Sequence, residues 1–176
     1  DRDAILEIMK ALVEECKIRN IAITGGETSI QNNLNGLEIS LTISGFVEAV
    51  KKNRFEIGDL LFGFKSNGLH SNGFTKVREK FGSEYRPDFV APTKIYLDDI
   101  LELDKKFDIH GMVHVTGGAF TRLKDVLNGD VRIGRFHHIN PLPIFWDLYE
   151  RGVSDEDMYK TFNCGVGFIL SLPPSN

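Results

Sequence analysis

The chain has 176 residues, 41% of them hydrophobic and 26% charged, with a formal net charge of -4. That length supports one domain or two small ones with a sizeable core, and the balance is that of a soluble globular protein. The acidic excess excludes a general nucleic-acid binder, which needs clustered positive charge, and no apolar run approaches the about 20 residues that span a bilayer.

Cys16 and Cys164 are far apart and have no partners at metal-ligand spacing. Free thiols in a reducing compartment are expected. No secretory signal is visible, and the cytoplasm is the expected location. The chain begins at Asp1 with a helical pattern already under way and stops just after an apolar strand, so it is expected to be part of a longer protein.

Ile5, Ile8, Met9, Leu12, Val13 and Cys16 recur at helical spacing and predict a helix over residues 2–17. Ile21, Ala22 and Ile23 suggest a short strand, and Gly25-Gly26-Glu27-Thr28 turns the chain. Two glycines let backbone approach a ligand, and the Glu27 carboxylate suits a hard cation such as Mg²⁺; a tight turn with a helix or strand cap is the plainer reading. Leu37, Ile39, Leu41 and Ile43 alternate with polar residues and predict a half-buried strand over 37–50. Lys51-Lys52-Asn53-Arg54 then forms a charged connector and the best domain boundary.

Beyond it, a strand is expected over 59–65, followed by the polar loop Gly68-Leu69-His70-Ser71-Asn72-Gly73 and a helix over 74–81. A strand leading through a glycine-bounded loop into a helix is a common setting for phosphate-bearing ligands. His70 can act there as general acid or base, while a solvated surface histidine is the plainer alternative. A helix is expected over 93–107, a strand over 112–115, and a helix over 119–127 after Thr116-Gly117-Gly118. The start of that helix would offer free N–H groups to a phosphate, with His114 either beside the ligand or a satisfied core histidine.

A strand is expected over 131–136 and a helix over 143–150 with Pro143 at its first position. Ser154 is expected to cap the next helix, whose first turn carries Asp155-Glu156-Asp157. The final strand covers 164–172. Asn163 could place an amide at a ligand, whereas Cys164 leads into an apolar run and reads as a small buried residue, not a nucleophile. His137-His138 lacks further ligands at useful spacing and reads as surface. Together the elements describe an α/β (α+β mixed) protein whose loops carry the chemistry.

In order along the chain, these motifs resemble phosphoribosylformylglycinamidine cyclo-ligase, the AIR synthetase family of purine biosynthesis. The resemblance rests on Gly25-Gly26-Glu27-Thr28, Gly58-Asp59, Ser66-Asn67-Gly68-Leu69-His70-Ser71-Asn72-Gly73-Phe74, Ala91-Pro92-Thr93-Lys94-Ile95-Tyr96, and His114-Val115-Thr116-Gly117-Gly118. It rests most specifically on the run from Met158 through Phe162-Asn163-Cys164-Gly165-Val166-Gly167. It implies a two-domain AIR synthetase-like architecture of mixed sheets packed with helices. Residues 1–50 would be the end of an ATP-binding, dimerising domain, and 51–176 most of the C-terminal domain.

The resemblance also implies a reaction: ATP-dependent ring closure of formylglycinamidine ribonucleotide to aminoimidazole ribonucleotide by a homodimer using ATP and Mg²⁺. His70 and Asn72 would be catalytic, His70 through acid–base chemistry or a phosphoryl-oxygen contact. Ser71, Thr93, His114, Thr116, Gly117, Gly118 and Asn163 would surround the substrate. Gly25, Gly26, Glu27 and Thr28 would bind ATP, with Glu27 on the metal.

The chain departs from the family pattern in several places. An Asp-Gly-x-Gly-Thr-Lys-like segment is absent, Ser29-Ile30-Gln31 follows Thr28, Thr42 stands where Asp is usual, and Lys94 replaces Arg. Lys94 keeps the charge without the bidentate fork. Another ATP-dependent synthetase of the superfamily, or an inactive dimerising paralogue, is the alternative.

Overall fold

The computed structural model describes residues 2–47, 49–127 and 138–174. The chain divides into two compact units, Asp1–Phe46 and Val47–Asn176.

In the first unit, helix α1 spans Arg2–Ile18. Ile5, Ile8, Leu12 and Cys16 form its less exposed stripe, as the sequence spacing requires. Asn20 ends the helix in a left-handed conformation (φ 54°), and the Ile21 N–H donates back to the Cys16 carbonyl at 2.8 Å. This six-to-one closure satisfies one of the terminal carbonyls.

The strands expected over 21–23 and 37–50 do not form among the described residues. Leu37, Ile39, Leu41 and Ile43 do alternate, but all four are exposed. Alternation buries nothing without a neighbouring strand to hydrogen-bond and a layer to pack on, and neither is supplied to this segment here.

The second unit is built on a three-stranded antiparallel sheet. Strand β1 is Leu60–Lys65, β2 is Gly111–His114, and β3 is Val166–Leu172, in the order β1-β3-β2. The last strand in sequence therefore lies in the centre, pairing Phe64 and His114 on its two sides with Phe168. A register shift between Phe64 and Lys65 lets the chain leave β1 toward the polar loop.

Helix α3 (Leu97–Lys106) packs on β3 through Ile100, while α2 (Phe74–Phe81), α4 (Pro143–Glu150) and α5 (Asp155–Thr161) pack with one another. A 3₁₀ turn, η1, covers Pro87–Val90. Leu69, Val77, Phe81, Phe89, Phe145, Leu148, Met158 and Phe162 form one apolar cluster. Leu69 thus anchors the polar loop into the core one residue before His70. The Ser154 hydroxyl accepts from the Asp157 N–H at 3.2 Å, the expected cap of α5. The expected strand 131–136, and His137, lie outside the described residues.

Two boundaries differ from expectation. Helix α3 starts at Leu97, not at Thr93. The Lys94 N–H donates to Asn67 Oδ1 at 3.1 Å, so a side chain captures this backbone before the helix can. The segment after Gly118 is a 3₁₀ helix, η2, over Ala119–Asp125, where an α-helix over 119–127 was expected. Gly118 (φ 79°) and Ala119 (φ 43°) are both left-handed, and the Thr121 N–H donates to the Gly118 carbonyl, closing the tighter turn.

Asp59 fastens the start of β1 to both neighbours. It accepts from the Ser171 hydroxyl of β3, from the Glu56 N–H at 3.0 Å, and from His110 Nδ1 at 3.0 Å. Burial alone would push this carboxyl up, but the three donors outweigh it and hold it below its ordinary value of 3.8. The native state therefore binds fewer protons than the unfolded chain at mildly acidic pH. The resulting stability should be fully present above pH 3.8 and be lost as pH falls through the lower folded value. Melting temperatures of wild type and Asp59→Asn should diverge near about pH 7 and converge near about pH 2. A gap that persisted at low pH would show that the carboxylate charge is not what stabilises this corner.

Candidate functional site

Four of the motif segments converge at the end of the sheet where β1 leaves, β2 ends and β3 begins, all within the second unit. Asn163 is the brace. It is 3% exposed, and its whole amide is engaged. Oδ1 accepts from the Ser66 hydroxyl at 2.7 Å and the Gly165 N–H at 2.9 Å. Nδ2 donates to the carbonyls of Gly68 at 2.9 Å and Leu69 at 3.4 Å. A ligand would find no free donor or acceptor on this side chain.

The loop it holds delivers His70 in a left-handed conformation (φ 60°), uncommon for a residue with a side chain. His70 is 3% exposed, so it is neither a surface residue nor a solvated one. Its Nε2 lies 2.8 Å from Asn67 Oδ1, while no protein partner reaches its buried Nδ1 among the described residues. Its ring centroid is 6.3 Å from that of His114 and 6.3 Å from that of Tyr96. Burial, and secondarily His114, lower its pKa below the ordinary histidine value. His114 is exposed at the end of β2, but its ring stacks on Phe168 at 5.7 Å and meets Tyr96 edge-on at 5.7 Å. Desolvation by this packing lowers its pKa too. Both imidazoles are thus held below the ordinary histidine value, which favours their neutral forms at neutral pH.

Tyr96 closes the floor. Its hydroxyl donates to the Lys65 carbonyl at 3.0 Å, and burial raises its pKa to about 12, so it serves as a donor and not as a phenolate. Lys94 lies 5.1 Å above its ring. Thr93 sits between the two backbone groups that Asn67 bonds, the Pro92 carbonyl at 2.8 Å and the Lys94 N–H. On the far side, a Cβ on Gly117 would come 3.1 Å from Asn72 Oδ1, which places the Thr116-Gly117-Gly118 turn against the loop. The Ala119 N–H already donates to the Thr116 carbonyl at 2.7 Å. A 3₁₀ helix thus stands where the α-helix N-terminus was expected to face a phosphate.

Cys164 is buried, as expected from sequence, and desolvation pushes its thiol up to about 12. Gly25, Gly26, Glu27 and Thr28 belong to the first unit and are exposed, with nothing within 4 Å of a Cβ built on either glycine. Among the described residues, no three His, Cys, Asp or Glu side chains come together as a metal site. Asn67, Ser66 and Tyr96 were not singled out from sequence, although each lies inside a quoted motif. Their polar atoms adjoining apolar runs were the available signal.

Residues 56–176 match the family model described as AIR synthase related protein, C-terminal domain, and the chain belongs to that family. Among curated relatives, it is 36% identical over 180 residues to the phosphoribosylformylglycinamidine cyclo-ligase of Pyrococcus furiosus, covering 93% of this chain and 53% of that protein. It is 35% identical over 194 residues to the enzyme of the same name from Methanococcoides burtonii, covering 99% and 57%. The chain thus spans about half the length of the curated relatives it matches. No helix among the described residues is long and apolar enough to cross a membrane.

Proposed function

We propose that the protein to which this chain belongs is an ATP-dependent cyclo-ligase that closes the imidazole ring of aminoimidazole ribonucleotide from formylglycinamidine ribonucleotide. The observation that carries this reading is the convergence of His70, Asn72, Thr93, His114 and Gly117 at one end of the sheet, around a loop pinned by Asn163. Relatives bearing the cyclo-ligase name align with nearly all of the chain.

In this reading, residues 1–50 complete an ATP-binding, dimerising domain and residues 51–176 form most of the substrate domain. ATP supplies the phosphoryl group that converts the formyl oxygen into a leaving group. Gly25, Gly26, Glu27 and Thr28 contribute backbone and carboxylate to its site. The described residues do not by themselves fit a Mg²⁺ site, since Glu27 has no companion ligands here, so no step is assigned to the metal. Ser71, Thr93, His114, Thr116, Gly117 and Gly118 surround the substrate, and Asn163 acts by positioning the loop. Ring closure needs the attacking nitrogen held against its carbon, and a rigid loop provides that orientation. His70 takes the proton the nitrogen must lose, and the Asn72 amide orients the reacting group by hydrogen bonding.

The test is an assay of the full-length protein for ADP and aminoimidazole ribonucleotide formation. Turnover should be measurable, and His70→Ala should lower it at least about tenfold. Absence of both products in the wild type would overturn the assignment.

A further inference from the structure

The Asn67 amide is oriented unambiguously by two backbone groups. Its Nδ2 donates to the Pro92 carbonyl at 2.8 Å, so that atom is the nitrogen. Its Oδ1 accepts from the Lys94 N–H at 3.1 Å, so that atom is the oxygen. His70 Nε2 lies 2.8 Å from this oxygen. An oxygen and an unprotonated ring nitrogen would set two lone pairs against each other, so Nε2 must carry the hydrogen. The Asn67 N–H also approaches Nε2, but at 3.4 Å, and it cannot compete. In a neutral imidazole the lone pair then falls on Nδ1, the atom for which no protein donor is present among the described residues.

We infer that Asn67 is a positioning residue that fixes His70 as the Nε2–H tautomer and leaves Nδ1 as an unpaired acceptor reserved for a hydrogen-bond donor of the ligand. Nδ1 in this state takes an N–H or O–H group and repels an oxygen that carries no proton. Of the two roles open to His70, the neutral ring therefore favours receipt of a proton from a substrate nitrogen or hydroxyl over contact with an unprotonated phosphoryl oxygen. A buried acceptor left unpaired is costly, which is why such atoms are rare outside sites where something else must bind. Tyr96 and His114 hold the ring from its flanks without supplying the missing donor.

The assignment of a proton-accepting role rests on the proposed function, but the tautomer does not, and the experiment separates them. Nitrogen-15 correlation spectra of the wild-type chain at neutral pH, with His70 assigned through its backbone, should show a pyrrole-type Nε2 and a pyridine-type Nδ1. The reverse pattern, an even mixture or a doubly protonated ring would overturn the inference whatever the enzyme's activity. In the full-length protein, Asn67→Asp keeps an acceptor at Nε2 but loses the donor to the Pro92 carbonyl and adds a charge that favours a protonated ring, so it should keep hydrogen on Nε2 and move the kcat–pH profile to higher pH. Asn67→Leu should mix the tautomers and lower kcat about tenfold with little change in KM. A loss confined to KM in Asn67→Leu would make Asn67 a binding residue and overturn the positioning role.

Discussion

Replacing Asn163 with alanine is expected to destabilise the second unit by about 3 kcal/mol and to abolish turnover in the full-length protein. The side chain is buried, and its four contacts join the turn before β3 to the loop after β1. Without it, the Ser66 hydroxyl, the Gly165 N–H and the Gly68 carbonyl lose their partner together, and a void the size of an amide remains. The loss should exceed that of one hydrogen bond because each orphaned group is desolvated. Urea unfolding followed by circular dichroism measures it. Asn163→Asp keeps the acceptor half and loses the donor half, so it should fall between wild type and alanine. A loss below about 1 kcal/mol in the alanine variant would mean that the apolar anchor at Leu69, and not the amide, holds the loop.

Gly167→Ala should be nearly as severe, at about 3 kcal/mol. A Cβ at this position would lie 1.8 Å from the Tyr96 hydroxyl oxygen and 3.0 Å from His70 Cε1. Tyr96 would have to leave, breaking its bond to the Lys65 carbonyl and taking away one wall of the His70 pocket. The backbone itself is not strained there, so the whole effect is one of space. That makes a partial rescue available: Tyr96→Phe removes the nearer clashing atom and leaves Cζ at 2.7 Å. The double variant should recover part of the stability lost by Gly167→Ala, and a thermal melt of the four combinations reads the coupling. If Tyr96→Phe only added to the loss, the clash would not be its cause.

Much of the fold was legible because local signals and packing agree. The apolar stripe of α1, Pro143 at the start of α4, the Ser154 cap and the apolar run of β3 each satisfy a backbone requirement by themselves. The alternating segment after Leu37 misled because period two describes a face and does not provide a partner. The segment after Gly118 misled because apolar spacing cannot distinguish an α-helix from a 3₁₀ turn once two successive residues are left-handed.

The site shows the same division. Sequence marked His70, Asn72, Thr93, His114, Gly117 and Asn163 as unusual polar or glycine residues in ordered motifs, and the family followed from them. What each side chain faces was decided only when β3 was placed between β1 and β2, because that arrangement brings residues nearly a hundred positions apart within hydrogen-bond reach. Only there does Asn163 become a brace whose polar atoms are all engaged. Only there does Asn67, unremarkable in sequence, become the group that settles which nitrogen of His70 is basic. Hydrogen bonding is directional and short in range, so a linear pattern can name the atoms but not their pairing.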